Sequence, residues 1–94
     1  MKAPIVARTA SNLIGERVRK ARQSFSPPIT QDQLSGRLAR YGVEINRVKI
    51  AKIENGIRCV FDFEVRAFAL VLKVDANWLL GISNDVDLGS RKKI

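Results

Sequence analysis

The 94-residue chain contains no histidine and a single cysteine, Cys59. Without histidine it lacks the usual general base near neutral pH and the commonest metal ligand. One cysteine allows neither an internal disulfide nor a thiolate metal cluster, so Cys59 is read as packing. With no clustered carboxylates either, neither a metal centre nor a histidine-based triad can be assembled. The expectation is a non-enzymatic chain without cofactor or metal. Aromatic residues make up only 6%, and no aromatic-rich basic sheet motif is present to stack RNA bases. No apolar run approaches the ~18 residues needed to cross a bilayer. Pro4 and Arg8 interrupt the apolar residues of MKAPIVARTASN, so no signal peptide is expected. The expected setting is cytoplasmic, with no membrane partner.

Acidic residues are scarce in one part of the chain and not in the other. Residues 1–58 hold 12 basic and 4 acidic side chains, a balance of +8. Residues 59–90 hold 2 basic and 5 acidic ones, or −3, and Arg91, Lys92 and Lys93 return +3. Segregation of this kind is the electrostatic footprint of a protein that meets an anionic surface, nucleic acid above all. The length is that of one small domain.

Five short helices are legible. From Ser11 to Gln23, Ile14, Val18 and Ala21 recur at helical spacing. The following SFSPPI stops that helix, because Pro27 and Pro28 lack amide donors. In ITQDQL, Thr30 and Gln33 make a capping box and Ile29 and Leu34 take the staple positions, so a second helix starts at Gln31. It ends near Arg40 or Tyr41, before Gly42. Asn46 caps a third helix that runs to about Asn55 and is closed by Gly56, with Ile45 and Ile50 as its staple. A fourth begins near Asp62, where Val65, Phe68, Ala69 and Leu72 share a face. Asp75 caps a short fifth, with Val74 and Leu79 stapling it, Trp78 and Leu80 available to the core, and Gly81 at its end.

The second and third helices, short and joined by a glycine-containing turn, form a helix-turn-helix pattern. In order and spacing, GERVRKAR, ITQDQLSGRL, INRVKIAKIENG and ALVLKVDANWLLG resemble the Cro/repressor-type (XRE-like) helix-turn-helix DNA-binding family over about residues 13–81. The resemblance implies an all-α, five-helix, lambda-repressor-like domain over residues 11–81, between an N-terminal arm (1–10) and a C-terminal tail (82–94). It further implies that Gln31 and the N-terminus of the second helix hold a DNA phosphate, which suits the free amides and positive dipole end there. Ser35 is the small residue facing the third helix, and Arg58 takes the position of a phosphate contact after it. The glutamate of KIENG corresponds to one that pairs with an arginine late in the first helix, here Glu54 with Arg22. One departure stands out: Ser35 and Ile50 are fifteen positions apart, against about ten in the family's helix-turn-helix. The added residues fall around Ala39–Ile45 and extend the turn, bringing Arg40 and Tyr41 as further candidate backbone contacts.

At ~100° per residue, a core direction set by Ile50 and Ile53 places Val48 and Asn55 opposite it, with Ala51 and Lys52 beside them and Arg47 at the N-terminal edge. A face with small Ala51 at its middle can enter a major groove. There Arg47 suits guanine, Asn55 adenine and Val48 a thymine methyl, while Lys49 suits phosphate. Thr30 and Asn46, capping the two helices, complete the candidate DNA-facing set. The expected activity is sequence-specific binding of double-stranded DNA by a homodimer on a palindromic operator, as a transcriptional regulator acting by repression. The competing expectation is an antitoxin or phage-switch component whose main task is to bind a regulatory protein partner through the acidic, apolar stretch Cys59–Leu88.

Overall fold

The computed structural model describes residues 10–86. The Arg91–Lys93 cluster and residues 1–9 of the expected arm lie outside them. Five helices follow in order: α1 (Gly15–Gln23), α2 (Gln31–Ala39), α3 (Arg47–Glu54), α4 (Asp62–Leu72) and α5 (Ala76–Leu79). The expected all-helical, five-helix domain is thus present, with no strand among the described residues.

The caps explain the boundaries. Thr30 Oγ1 accepts from the Gln33 amide at 3.0 Å while Gln33 Oε1 accepts from the Thr30 amide at 2.8 Å, a complete capping box. Asn46 Oδ1 accepts from the Lys49 amide at 2.9 Å and opens α3. At the far end of α3 the Gly56 amide reaches the Ile53 carbonyl and the Ile57 amide the Lys52 carbonyl, with Gly56 at φ +77°. This pair of bonds answers two carbonyls that the helix itself leaves open. Glu64 reaches back to the Phe61 amide at 2.9 Å to start α4, and Asp75 caps α5 through the Asn77 amide.

The start of α1 departs from expectation by four residues. Helical spacing begins at Ser11, but the helix begins at Gly15, because the preceding residues serve tertiary bonds instead. The Ser11 amide donates to the Gly56 carbonyl. Asn12 Oδ1 accepts from the Ile14 and Gly15 amides, and its Nδ2 donates to the carbonyls of Ile53 and Arg58. Local periodicity cannot report a residue committed to a segment some forty positions away.

Ile14, Val18, Leu34, Leu38, Ile45, Ile50, Ile53, Phe68 and Leu79 form the fully enclosed centre of the core. Around it α3 packs on α1 and α2, α4 on α1 and α2, and α5 on α4 and α1. In α5 it is Leu79 that is fully enclosed, while Leu80 is only half-buried. Arg17 ties α1 to α5: its guanidinium donates to the carbonyls of Trp78 and Ser83 and lies over the Trp78 ring. Residues 82–86 turn back along α5, where the Asp75 amide donates to the Val86 carbonyl. Cys59, expected as packing, is exposed. It lies in the non-helical segment between α3 and α4, where neighbouring Val60 is the partly buried residue packed on the core.

Candidate nucleic-acid interface

The connection between α2 and α3 spans residues 40–46. It leaves α2 through bonds from the Tyr41 and Val43 amides to the Leu38 carbonyl and from the Gly42 amide to that of Ala39. Gly42 adopts φ +78°, a left-handed conformation that side chains resist. Beyond it Val43 and Ile45 are buried while Glu44 stays exposed, as does Tyr41 just before it. The longer turn is therefore anchored at two points in the core and sets the start of α3 firmly.

Ile50 and Ile53 are fully enclosed beneath α3, and Val48 on the other side is 51% exposed. Arg47, Lys49, Lys52 and Asn55 are exposed with it, and Ala51 is half-buried among them. The side of α3 away from the core is thus a positively charged strip with a low centre. Arg47 approaches Asp32 of α2 at 3.9 Å, but both side chains are more than half exposed. Such a pair is weak and gives way to a competing anion. The α3 face borders the N-terminal turn of α2, where the capping box leaves the Gln31 and Asp32 amides outside the helical ladder.

Below this strip lies Glu54, whose side chain has no exposed surface. Its Oε2 accepts from Arg22 Nε at 2.7 Å. Its Oε1 accepts from Arg22 Nη2 at 2.9 Å, Gln31 Nε2 at 3.0 Å and Arg19 Nε at 3.4 Å. The bidentate Arg22–Glu54 pair joins α1 to α3, and Gln31 brings in α2. Arg22 also donates to the Ile29 carbonyl at 3.0 Å. Its guanidinium is held above the ordinary arginine value, chiefly by its hydrogen bond to Glu54, with the carboxylate's charge adding to this and burial opposing it. Charge-assisted bonds to both oxygens are what allow a carboxylate to be enclosed at all.

Several candidates are committed within the protein. The Gln31 side chain, expected on a phosphate, donates its amide to Glu54 and ties α2 to α3. Asn55 Oδ1 accepts from Arg19 Nη2 at 2.6 Å, which leaves its NH2 group as the part able to meet a base edge. Arg58 donates to the Cys59 carbonyl at 3.1 Å and reaches Glu64 at 3.4 Å, bracing the start of α4. Arg40 and Tyr41 stand beside α4, where they share a cleft with Leu70, Val71 and Lys73. Thr30 and Asn46 hold their helix amides as caps.

Two participants carried no signal of their own. Arg19, which resembles any helix-surface cation in sequence, bridges Glu54 and Asn55. Gly15 lies where α1 crosses the end of α3, and a Cβ there would collide with the Ile53 carbonyl oxygen. Only the crossing of the two helices exposes that requirement.

Among the described residues no group of three or more His, Cys, Asp or Glu side chains is arranged to hold a metal, and no helix is long and apolar enough to cross a membrane. No family model, curated protein or solved structure matches the chain.

Proposed function

We propose that this chain binds double-stranded DNA sequence-specifically and acts as a transcriptional regulator, a repressor of the Cro/repressor-type, lambda-repressor-like helix-turn-helix kind whose motif order it resembles. The supporting observation is the pairing of a rigid support with an open cationic face on one helix. Ile50, Ile53 and Glu54 dock α3, while Arg47, Val48, Lys49, Lys52 and Asn55 face solvent around half-buried Ala51. An α-helix of this profile fits the major groove, where each base pair presents a distinct set of donors and acceptors.

In this reading α3 enters the groove. Arg47 releases Asp32 and donates to guanine O6 and N7, Val48 packs on a thymine methyl, and Lys49 and Lys52 meet phosphates. Gln31, Arg19 and Arg58 act behind the face, as its supports. Two copies on a palindrome would place two α3 helices about one DNA turn apart, ~34 Å.

Selection of bound fragments from random duplex DNA tests the proposal. The expected product is a palindromic motif, with Arg47→Ala relaxing the preference at one position in each half-site by about 1–3 kcal/mol. Recovery of no enriched sequence by the natural chain would defeat it.

A further inference from the structure

Away from the α3 face, exposed apolar and charged side chains gather along the outer side of α4. Leu70 is 49% exposed, and Arg66, one turn before it, is exposed too. Arg66 has no side-chain partner among the described residues. Together they form a ridge, because both line the clefts on either side of it. Toward α5 lies an apolar groove of about 530 Å³, walled by Val65, Ala69, Val74, Ala76 and Leu80, with acidic Asp62 and Asp75 also lining it. On the other side is a cleft of about 470 Å³, bounded by Phe63 of α4 and by Tyr41 and Val43 of the long α2–α3 connection. Tyr41 is 53% exposed. The extension of the turn therefore adds its aromatic ring to this surface.

We infer that this face is where two copies of the chain meet about a two-fold axis. A two-fold contact needs a surface that complements itself, each feature finding its counterpart on the same patch of the other copy. This face holds both halves: an apolar ridge and, next to it, an apolar groove. Seating Leu70 in the second copy's groove seats the second copy's Leu70 in the first. The charges obey the same rule. With two α4 helices antiparallel and Leu70 at the centre, Arg66 runs toward the C-terminal end of the second copy's α4, where Asp75 stands, and the pair forms twice. Asp75 spends one oxygen on the Asn77 amide, and its other oxygen has no hydrogen-bond donor among the described residues. A purely acidic or purely basic partner would answer only one of the two signs. The surface deepens the proposed function by naming the dimer contact, and it rests on that reading only for the placement of two α3 helices on one operator.

The full chain, without DNA, is to be followed by sedimentation equilibrium across the micromolar range. A reversible monomer–dimer equilibrium is expected. Leu70→Asp, at an exposed position, should keep the helical circular dichroism spectrum and be monomeric where the natural chain is dimeric. Arg66→Gln and Asp75→Asn, the latter still able to cap α5, should each weaken association at least tenfold, and the double variant should be no weaker than the worse single one. A chain that stays monomeric, including one that pairs only with a different protein, overturns the inference. Self-association that survives Leu70→Asp and Arg66→Gln also overturns it. A natural dimer that loses association through these variants and binds no duplex DNA upholds this face while defeating the reading of α3. A monomeric Leu70→Asp chain that still binds a half-site duplex upholds both.

Discussion

At the scale of single residues, Glu54 carries more of the molecule than its size suggests. Four donor contacts from three side chains converge on its two oxygens. Replacing it with alanine would leave Arg22 facing a cavity, with the Ile29 carbonyl as its remaining acceptor. Breaking one side of a buried pair costs about 3–5 kcal/mol, a large share of the ~5–15 kcal/mol that holds a domain together. Chemical denaturation of Glu54→Ala should show that loss, and an unchanged midpoint would contradict the account. No pH window near neutrality should mimic it. A cation with a raised folded-state pKa contributes stability that is full below its unfolded value and is lost as pH rises from there through the folded one, so for Arg22 the loss begins only at the ordinary arginine value, far above neutrality. The Arg22–Glu54 pair was legible through the KIENG resemblance. The shares of Arg19 and Gln31 were not, since hydrogen-bond partners depend on how helices cross rather than on spacing along one of them. Cys59 departs from the packing role expected of it because a lone thiol is apolar by type, whereas its position in an irregular segment sets its exposure.

At the scale of elements, the capped helices were the legible ones. Thr30, Asn46 and Asp75 each satisfy amides at the helix starts assigned to them, since capping is local chemistry between residues two or three apart. The beginning of α1 was hidden by the long-range bonds of Ser11 and Asn12. Helix α2 carries a cost that its sequence shows plainly: Gly36 stands in its interior, exposed, with nothing near the place a Cβ would occupy. Glycine there is less favourable than alanine by ~0.5–1 kcal/mol. Gly36→Ala should accordingly raise the thermal midpoint by a few degrees in the absence of any ligand, at about 4–8 °C per kcal/mol for a domain of this size. A midpoint that falls would show that the backbone at Gly36 is constrained in some way its surroundings do not reveal.

Across the whole molecule, charge and apolar surface are divided between regions. The first 58 residues carry +8, and the α4–α5 region carries Asp62, Glu64 and Asp75 against Arg66 and Lys73. If α3 binds duplex DNA, affinity should fall steeply with salt as counterions are released. Four phosphate contacts imply a log–log slope of about −3.6, and so a loss on the order of a hundredfold for a fourfold rise in salt. Counted as Lys49 and Lys52 in each of two copies, the four contacts fall to two in Lys49→Ala, which should reduce that slope by about 1.8, read from fluorescence anisotropy at several ionic strengths. A flat salt dependence would remove DNA as the ligand of this face. The division of charge was plain from composition, whereas the ridge and groove on α4 emerged only once α5 and the long turn had folded against it.

The grip on α3 from both ends has a further consequence. Asn46 and Ile45 fix its start, and Asn12, Gly15 and Glu54 fix its last turn. A partner arriving at this helix finds its backbone already ordered, so the entropy of arranging it is lost during folding and not again on association. The helix also cannot rock to suit an imperfect match. Whatever adjustment a complex needs must come from the partner, and its stiffness, as much as the atoms it presents, then enters the affinity.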